Sequence, residues 1–415
     1  RKRGEPLEKF EQDAKILAMK VITGDFKESG TASREFDYLL RQATGIAKAK
    51  AVAEIVKMVV DSGEKVVLFG WHRACFSKGT PILMYDGTIK SVEEINVGDL
   101  VMGQDSKPRK VLSLINGEGD LFQINPIRGD SWICSSNHIL SLSRSERNCK
   151  KLVEMTADKF NALSKRIQRG YCLYHSQAID FGAKENLKES WLLGYWLGDG
   201  ASNLSDLRIS TADSEVVDEV NKIAKNYNLT IKKYICKNGT TPCCFYCFSS
   251  NKGKWRRNKL LNHFKSLNIH KNKHIPHSYK IGNLDSRREL LAGLIDSDGH
   301  VYHGNGNGSA EFFNKNEKLA NDVAFISRSL GLSAVVKKVT RKQSFSYNKK
   351  DEQYFRVYIS GDLTKIPMRI KRKQAPIRKQ HKNILRTGFS IKPIGKGEYF
   401  GFETDGDHLF LLGDF

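Results

Sequence analysis

The sequence has no apolar run approaching the roughly 18 residues that a membrane-spanning helix needs, so nothing in it is expected to cross a bilayer. It also lacks a signal peptide, and it opens Arg1-Lys2-Arg3 without a methionine, reading as a fragment. Cysteine is sparse and irregular. Eight in 415 residues, without framework spacing, point to a reducing, intracellular setting, cytoplasmic or nucleoid-associated. Cys236, Cys243, Cys244 and Cys247 cluster, and Cys244-x-x-Cys247 has zinc-ligand spacing. Its neighbours break the usual pairing, so a hydrophobic strand with incidental thiols is the expected reading. Acidic residues are in deficit: 46 Asp and Glu against 68 Lys and Arg give a net charge of +22. A solvated charged surface is the plain explanation, but the basic residues cluster, which favours a nucleic-acid partner.

What is present suits a multidomain protein. An apolar content of 40% can bury a core, and 415 residues are too many for one, suggesting two to four domains. Residues 1–74 read as a short α/β segment: a helical stripe over 48–62, stopped at Ser62-Gly63, then a buried strand over 65–70. They contain no phosphate-binding Gly-x-x-x-x-Gly-Lys-Ser/Thr loop, so this segment alone cannot hydrolyse ATP. From Cys75 to about residue 145 the chain alternates in short runs between turn signals such as Asp86-Gly87 and Asn116-Gly117, the mark of an all-β region. Mixed helix and strand follow over about 185–385, and the last thirty residues return to β alternation. The economical reading is a β region split by an α/β insertion.

The insertion repeats itself. Trp191–Gly200 (WLLGYWLGDG) and Leu290–Gly299 (LLAGLIDSDG) are two apolar helical stretches, each ending in aspartate then glycine. Each is followed by a strand-like segment and an amphipathic helix, as in a duplicated pseudo-dimer. Gly194 and Gly198 keep a small-residue spacing that would let two such helices approach closely, bringing Asp199 and Asp298 together. Paired carboxylates in a basic protein suggest a divalent metal and a phosphodiester substrate. The alternative is two buried helices whose terminal aspartates make structural hydrogen bonds.

These helices resemble the LAGLIDADG (dodecapeptide, DOD-type) homing endonucleases. The resemblance implies that Asp199 and Asp298 hold Mg²⁺ between them and that each serves the cleavage of one DNA strand. It makes Asp296 a capping or salt-bridging residue. It also implies a lysine near the metals, often before Ile-Pro: Lys273 in Lys273-His-Ile-Pro276, with Lys365 in Lys365-Ile-Pro367 the weaker counterpart. Such a cation offsets charge in phosphoryl transfer or polarises the attacking water. Two basic runs would contact DNA phosphates: Lys252, Lys254, Arg256, Arg257 and Lys259 in the first, and Arg369, Lys371, Arg372, Lys373, Arg378 and Lys379 in the second. Base readout is expected from strands of a twisted sheet in the major groove.

The flanks resemble an intein's Hint (hedgehog/intein) domain of the yeast vacuolar-ATPase intein type. Cys75–Thr88 (CFSKGTPILMYDGT) and Val97–Gly103 (VGDLVMG) are like its opening, Gly129–His138 (GDSWICSSNH) like its second block, and Glu398–Phe415 like a closing block. The resemblance implies that Cys75 is the nucleophile of an N-to-S acyl shift at the Ala74–Cys75 bond. Ser135 then fills a slot usually held by threonine, His138 polarises or protonates the scissile amide, and His408 assists the last steps. Splicing needs no cofactor. The terminal His-Asn and following nucleophile are missing, so completed splicing is not expected of the sequence as it stands.

The segment 43–73 resembles a Swi/Snf-type helicase-like ATPase, which would make 1–74 the host sequence before the insert. The expected layout is a host fragment over 1–74 and Hint parts over 75–184 and 386–415, the second truncated. They flank a LAGLIDADG endonuclease of two pseudo-symmetric halves over 185–385. The expected function is protein splicing plus site-specific double-strand cutting of an intein-less host allele. The partners are double-stranded DNA and the C-extein, the protein is a monomer, and no membrane is involved. Two other readings are an endonuclease with decayed splicing, and a helicase-like DNA-dependent ATPase with an inert insertion.

Overall fold

The computed structural model describes residues 57, 58, 61, 75–144, 152–201, 206–236, 243–250, 258–304, 308–341, 352–377, 379 and 383–415. The chain divides into two compact units, Arg1–Trp71 and His72–Phe415. The helix and strand expected over 48–70 lie outside the described residues apart from Lys57, Met58 and Asp61.

The second unit begins with short strands that alternate buried and exposed positions: β1 (Cys75–Phe76), β2 (Pro81–Leu83), β3 (Ile89–Ser91), β4 (Leu100–Met102), β5 (Pro108–Pro126), β6 (Trp132–Ser135), β7 (Ile139–Arg144) and β8 (Leu152–Thr156). Helices α1 (Ala157–Ala162) and α2 (Lys165–Gln168) and strand β9 (Tyr171–Tyr174) follow, and the chain returns to this region with β17 (Arg386–Thr387) and β18 (Phe389–Thr404). The long ribbon of β5 with β18 is the spine, and β1 lies between β18 and β6 in a five-stranded sheet. Phe76, Phe122, Ile124, Leu140, Phe160 and Phe402 fill its core. The region is not wholly β as expected: α1 buries Ala157 and Phe160 under the sheet, and Gln168 bonds the carbonyls of Phe160, Asn161 and Leu163.

Between these flanks run α3 (Ser190–Asp199), β10 (Arg208–Thr211), α4 (Ser214–Asn226), β11 (Leu229–Cys236), β12 (Cys243–Ser250) and α5 (Lys259–Ser266), then α6 (His277–Lys280), α7 (Leu284–Asp298), β13 (Gly299–Tyr302), β14 (Ser309–Asn314), α8 (Glu317–Ser329), β15 (Ser333–Arg341) and β16 (Glu352–Ser360). Among the described residues the order helix, strand, helix, hairpin of the first half recurs in the second with the pair β13–β14 in the place of the single strand. The sheets are β10-β12-β11 and β13-β14-β16-β15. Helices α5, α7 and α8 start at Asn258, Asn283 and Asn316, whose side chains accept from backbone N–H groups of the first turn. Helix α4 turns an apolar stripe of Val216, Val220 and Ile223 inward. Helix α3 is buried over Ser190–Leu197 and α7 over Leu290–Asp296, at the centre of one large core, while the first turn of α7 leaves Asp285 exposed.

Their contact is backbone on backbone. A Cβ at Gly194 would sit 2.1 Å from the Leu290 carbonyl oxygen, and one at Gly293 would sit 2.0 Å from that of Trp191. One turn on, a Cβ at Gly198 would strike Ser297 Oγ at 2.2 Å.

The β flanks and the helical core share a third apolar cluster of Leu83, Met102, Ile179, Phe325, Leu411 and Phe415. Beside it Arg287 is fully buried, and its guanidinium donates to the carbonyls of Gly282, Ser329 and Ile179. Gly194→Ala or Gly293→Ala must push two backbones apart, at a cost of about 2–3 kcal/mol. The expected fall in Tm is about 3–4 °C, measured by calorimetry. An unchanged Tm would refute this close approach.

Candidate functional site: a lysine-flanked carboxylate pair and a buried thiol

Because α3 and α7 touch, their last residues meet. A Cβ at Gly198 would lie 3.3 Å from Asp298 Cγ, which places the end of one helix against the carboxylate of the other. Burial, then the charge of Asp298, push the Asp199 carboxyl up to about 6, partly offset by Lys373 and Lys273. Burial also raises Asp298, whose Oδ2 accepts from Asn314 Nδ2 at 2.8 Å.

Each helix end is met by a lysine ammonium, part-buried at Lys273 and buried at Lys373. Lys273 Nζ donates to the carbonyls of Gly198 (3.0 Å) and Gly200 (2.7 Å) and lies 5.1 Å from the Trp196 ring centre. Burial brings its pKa down to about 8, against the pull of Asp298 and Asp199. Lys373 Nζ donates to the carbonyls of Ile295, Asp296 and Ser297 at 2.7–2.9 Å. Cations at the C-terminal ends of helices satisfy orphan carbonyls and oppose the helix dipoles. The lysine at the second helix end is therefore Lys373, not Lys365, which is exposed and lies 3.8 Å from Asp362. Lys373 is hidden in a basic run, and nothing in its local spacing distinguishes it.

Asp296 neither caps a helix nor pairs with a side-chain cation. Its buried carboxylate accepts from Trp191 Nε1 (2.9 Å), Arg369 N (2.8 Å) and Ile370 N (3.3 Å). It thereby ties α3 to the segment that delivers Lys373.

The basic runs divide. Lys252, Lys254, Arg256, Arg257 and Arg378 lie outside the described residues, while Lys259, Lys371 and Lys379 are exposed. Arg372 is exposed and paired with Asp213 at 2.8 Å. Two members are not free surface cations. Lys373 is buried, and Arg369 is half-buried between Glu219 and Glu289 with its guanidinium 5.4 Å from the Trp191 ring centre.

Among the described residues no three His, Cys, Asp or Glu side chains converge as a metal cage. Two adjacent buried carboxylates, one raised by the other, still fit a hard divalent cation. Such an ion takes one or two carboxylates and keeps its other positions for water and substrate phosphate.

The second site lies at β1. Cys75 is paired across from Gly401, and Phe76 from Phe400 and from Cys134. Cys75 is buried, which pushes its thiol up to about 11, while a hydrogen bond with the Ser135 side chain pulls the other way. His138 is enclosed by Phe76 and Trp132, with ring centres 4.6 and 5.6 Å away. Burial alone brings its imidazole down to about 4, so it is neutral at pH 7, and its Nδ1 has no hydrogen-bond partner. His408 sits in the turn after β18 with a left-handed φ of 59°, two residues before Phe410, whose ring packs on Phe76 and Phe402.

Two family models define the class to which these regions are similar. Residues 75–170 match the Hom_end-associated Hint model, and residues 274–382 match the homing endonuclease model. A Hint domain and a homing endonuclease domain are thus both present in the chain.

Individual relatives also match parts of the chain. The chain is 27% identical over 263 residues to the replicative DNA helicase DnaB of Mycobacterium intracellulare, covering 57% of this chain and 39% of that one. It is 33% identical over 93 residues to the catalytic subunit of the V-type proton ATPase of Candida tropicalis (22% and 8%). Over 162 residues it is 27% identical to the homothallic switching endonuclease of Saccharomyces cerevisiae (35% and 28%). The chain spans well under half the length of each of these relatives. Solved structures of mesophilic variants of the homing endonuclease I-DmoI (17% identity, 44% of this chain and 93% of that one, TM-score 0.28) and of the gp41-1 intein (23%, 25% and 69%, 0.19) also match.

The raised Asp199 has a consequence for stability. Its folded pKa, about 6, exceeds its ordinary 3.8. Keeping it ionised in the fold therefore costs stability that is lost as pH rises from about 4 to 6 and stays lost above. Asp199→Asn should stabilise the metal-free protein by up to about 3 kcal/mol above pH 6. The gain should shrink toward zero below pH 4, as read from Tm across pH. A pH-independent difference would show that the two carboxylates do not burden each other.

Proposed function

We propose that this chain is a splicing element that releases itself from a host protein and carries a LAGLIDADG-type endonuclease. The nuclease cuts both strands of the host's uninterrupted allele. The observation that carries this reading is the presence, in one compact unit, of a buried thiol near a neutral imidazole whose Nδ1 has no partner and of a carboxylate pair flanked by two lysines.

In the splicing step Cys75 Sγ attacks the carbonyl carbon of residue 74. The C–N bond breaks, a thioester forms, and the thiol proton ends on the freed amine of Cys75. At neutral pH the thiol is protonated and His138 is neutral. Ser135 holds the sulfur, and His138 offers a ring nitrogen to the departing amide. His408 serves the later steps, and no cofactor takes part. We place the chain in a reducing intracellular compartment because the step requires a free thiol.

In the nuclease, Asp199 and Asp298 would hold a divalent cation, Mg²⁺ in our reading. Bound there, it would supply Lewis-acid charge for phosphodiester hydrolysis. Lys273 and Lys373 hold ammonium groups beside the charge that develops on phosphorus, and the helix contact fixes the carboxylates in place. One chain provides both carboxylates, so the unit acts as a monomer on double-stranded DNA. The host assignment, a helicase-like ATPase with a C-extein beyond the insert, rests on the sequence of residues 43–73.

Two experiments separate the activities. Dithiothreitol should cleave the purified chain between Ala74 and Cys75, and Cys75→Ala should give no fragment. The rate should rise with pH from 7 to 9, because the reagent and the Cys75 thiol both attack faster as thiolates. A flat profile, or cleavage of the alanine variant, rejects Cys75 as the nucleophile. On a plasmid bearing the uninterrupted host allele, Asp298→Asn should lower double-strand cutting by roughly 100-fold or more and leave dithiothreitol cleavage unchanged. Full cutting by that variant would make the carboxylate structural.

A further inference from the structure

The sheet β13-β14-β16-β15 has one face in the helical core, through Ala310, Phe312, Val357 and Ile359. Residues alternate along a strand, so the opposite face carries Glu311 and Phe313 from β14, Tyr354, Arg356 and Tyr358 from β16, and Lys337 from β15. Across the ladder, Phe313 stands opposite Arg356, Glu311 opposite Tyr358, and Arg356 opposite Lys337.

Arg356 is clasped on this face. Its guanidinium carbon lies 5.6 Å from the Phe313 ring centre and 5.5 Å from that of Tyr358. Its Nη1 donates to the Tyr358 hydroxyl at 2.8 Å. Nε lies 3.5 Å from Glu311 Oε2, and neither atom has a hydrogen-bond partner. Phe313 in turn stacks on Tyr354 at 4.8 Å. Two rings and a carboxylate thus hold a guanidinium whose remaining N–H groups are unengaged by these contacts.

We propose that Arg356 is a specificity-determining residue that reads a guanine in the major groove of the DNA substrate. The assignment rests on the endonuclease reading above. A planar fork held in one orientation matches guanine O6 and N7 with two parallel hydrogen bonds. A phosphate contact would favour a mobile, fully exposed cation, whereas Arg356 sits on an inner strand, two-thirds enclosed, with Glu311 offsetting its charge. Lys337, exposed on the edge strand, suits phosphate better. Asp298 lies at the root of the same sheet, where Asn314 bonds it next to Phe313. The guanine therefore belongs to the inner part of the half-site, beside the cut.

The test is selection of binding sites from a randomised duplex DNA pool by the full chain, as wild type, Arg356→Ala and Arg356→Lys. Wild type should enrich one G·C pair near the position of cleavage. Arg356→Ala should lose that preference by roughly 10- to 100-fold, the value of one bidentate contact, with the other positions unchanged. Arg356→Lys keeps the charge and should keep overall affinity and its salt dependence while losing the same preference, so it decides the matter if the alanine variant unfolds. An unchanged consensus in both variants overturns the assignment. So does an equal loss on all sequences with a shallower salt slope, the mark of a phosphate contact. A wild-type chain that enriches no sequence refutes the endonuclease reading itself.

Discussion

Two glycines set the geometry of the nuclease half. With Gly194 and Gly293 at the crossing, α3 and α7 approach until backbone meets backbone, and everything at their ends follows. The carboxylates cannot separate to relieve their repulsion, since each is fixed at the end of a helix buried where the two cross. Lys273 and Lys373 complete the arrangement from two loops. Each ammonium is fixed by helix-end carbonyls rather than by its charge partner, so its position does not depend on whether an aspartate is ionised. Two negative and two positive groups leave the free site close to neutral.

At the β1 site burial shapes both partners in opposite directions. It raises the Cys75 thiol and lowers the His138 imidazole, so the resting pair carries no charge. Separating charge there is costly, and the reaction is favoured when proton and bond move together. The five-stranded sheet provides this environment by placing β1 between β18 and β6, with Phe76 and Trp132 against the imidazole and Phe410 packed behind Phe76.

Much of this was legible in the sequence because it is local. The helix ends at Asp199 and Asp298 follow from apolar runs stopped by glycine, and the β flanks from alternation and turn residues. Lys273 came from the family resemblance, which implies a lysine before Ile-Pro. What escaped was tertiary. Lys373 differs from the other cations of its run only in being folded under α7, and Arg369 only in meeting Glu219, Glu289 and Trp191. Asp296 serves backbone N–H groups 73 and 74 residues away, a distance no local pattern encodes. The helices at 157–168 are too short for periodicity to show.

The cluster of Leu83, Met102, Leu411, Ile179, Phe325 and Phe415 bears on how such a chain could be shortened. It is apolar surface held in common, so neither the β flanks nor the helical core owns a finished exterior there. Removing residues 185–385 would take Phe325 out of this cluster and strip Phe415 of the ring on which it rests. A descendant that lost the nuclease would have to recolour this seam with polar side chains before it could stay soluble. The join therefore makes gradual erosion of the insert easier to survive than its clean loss.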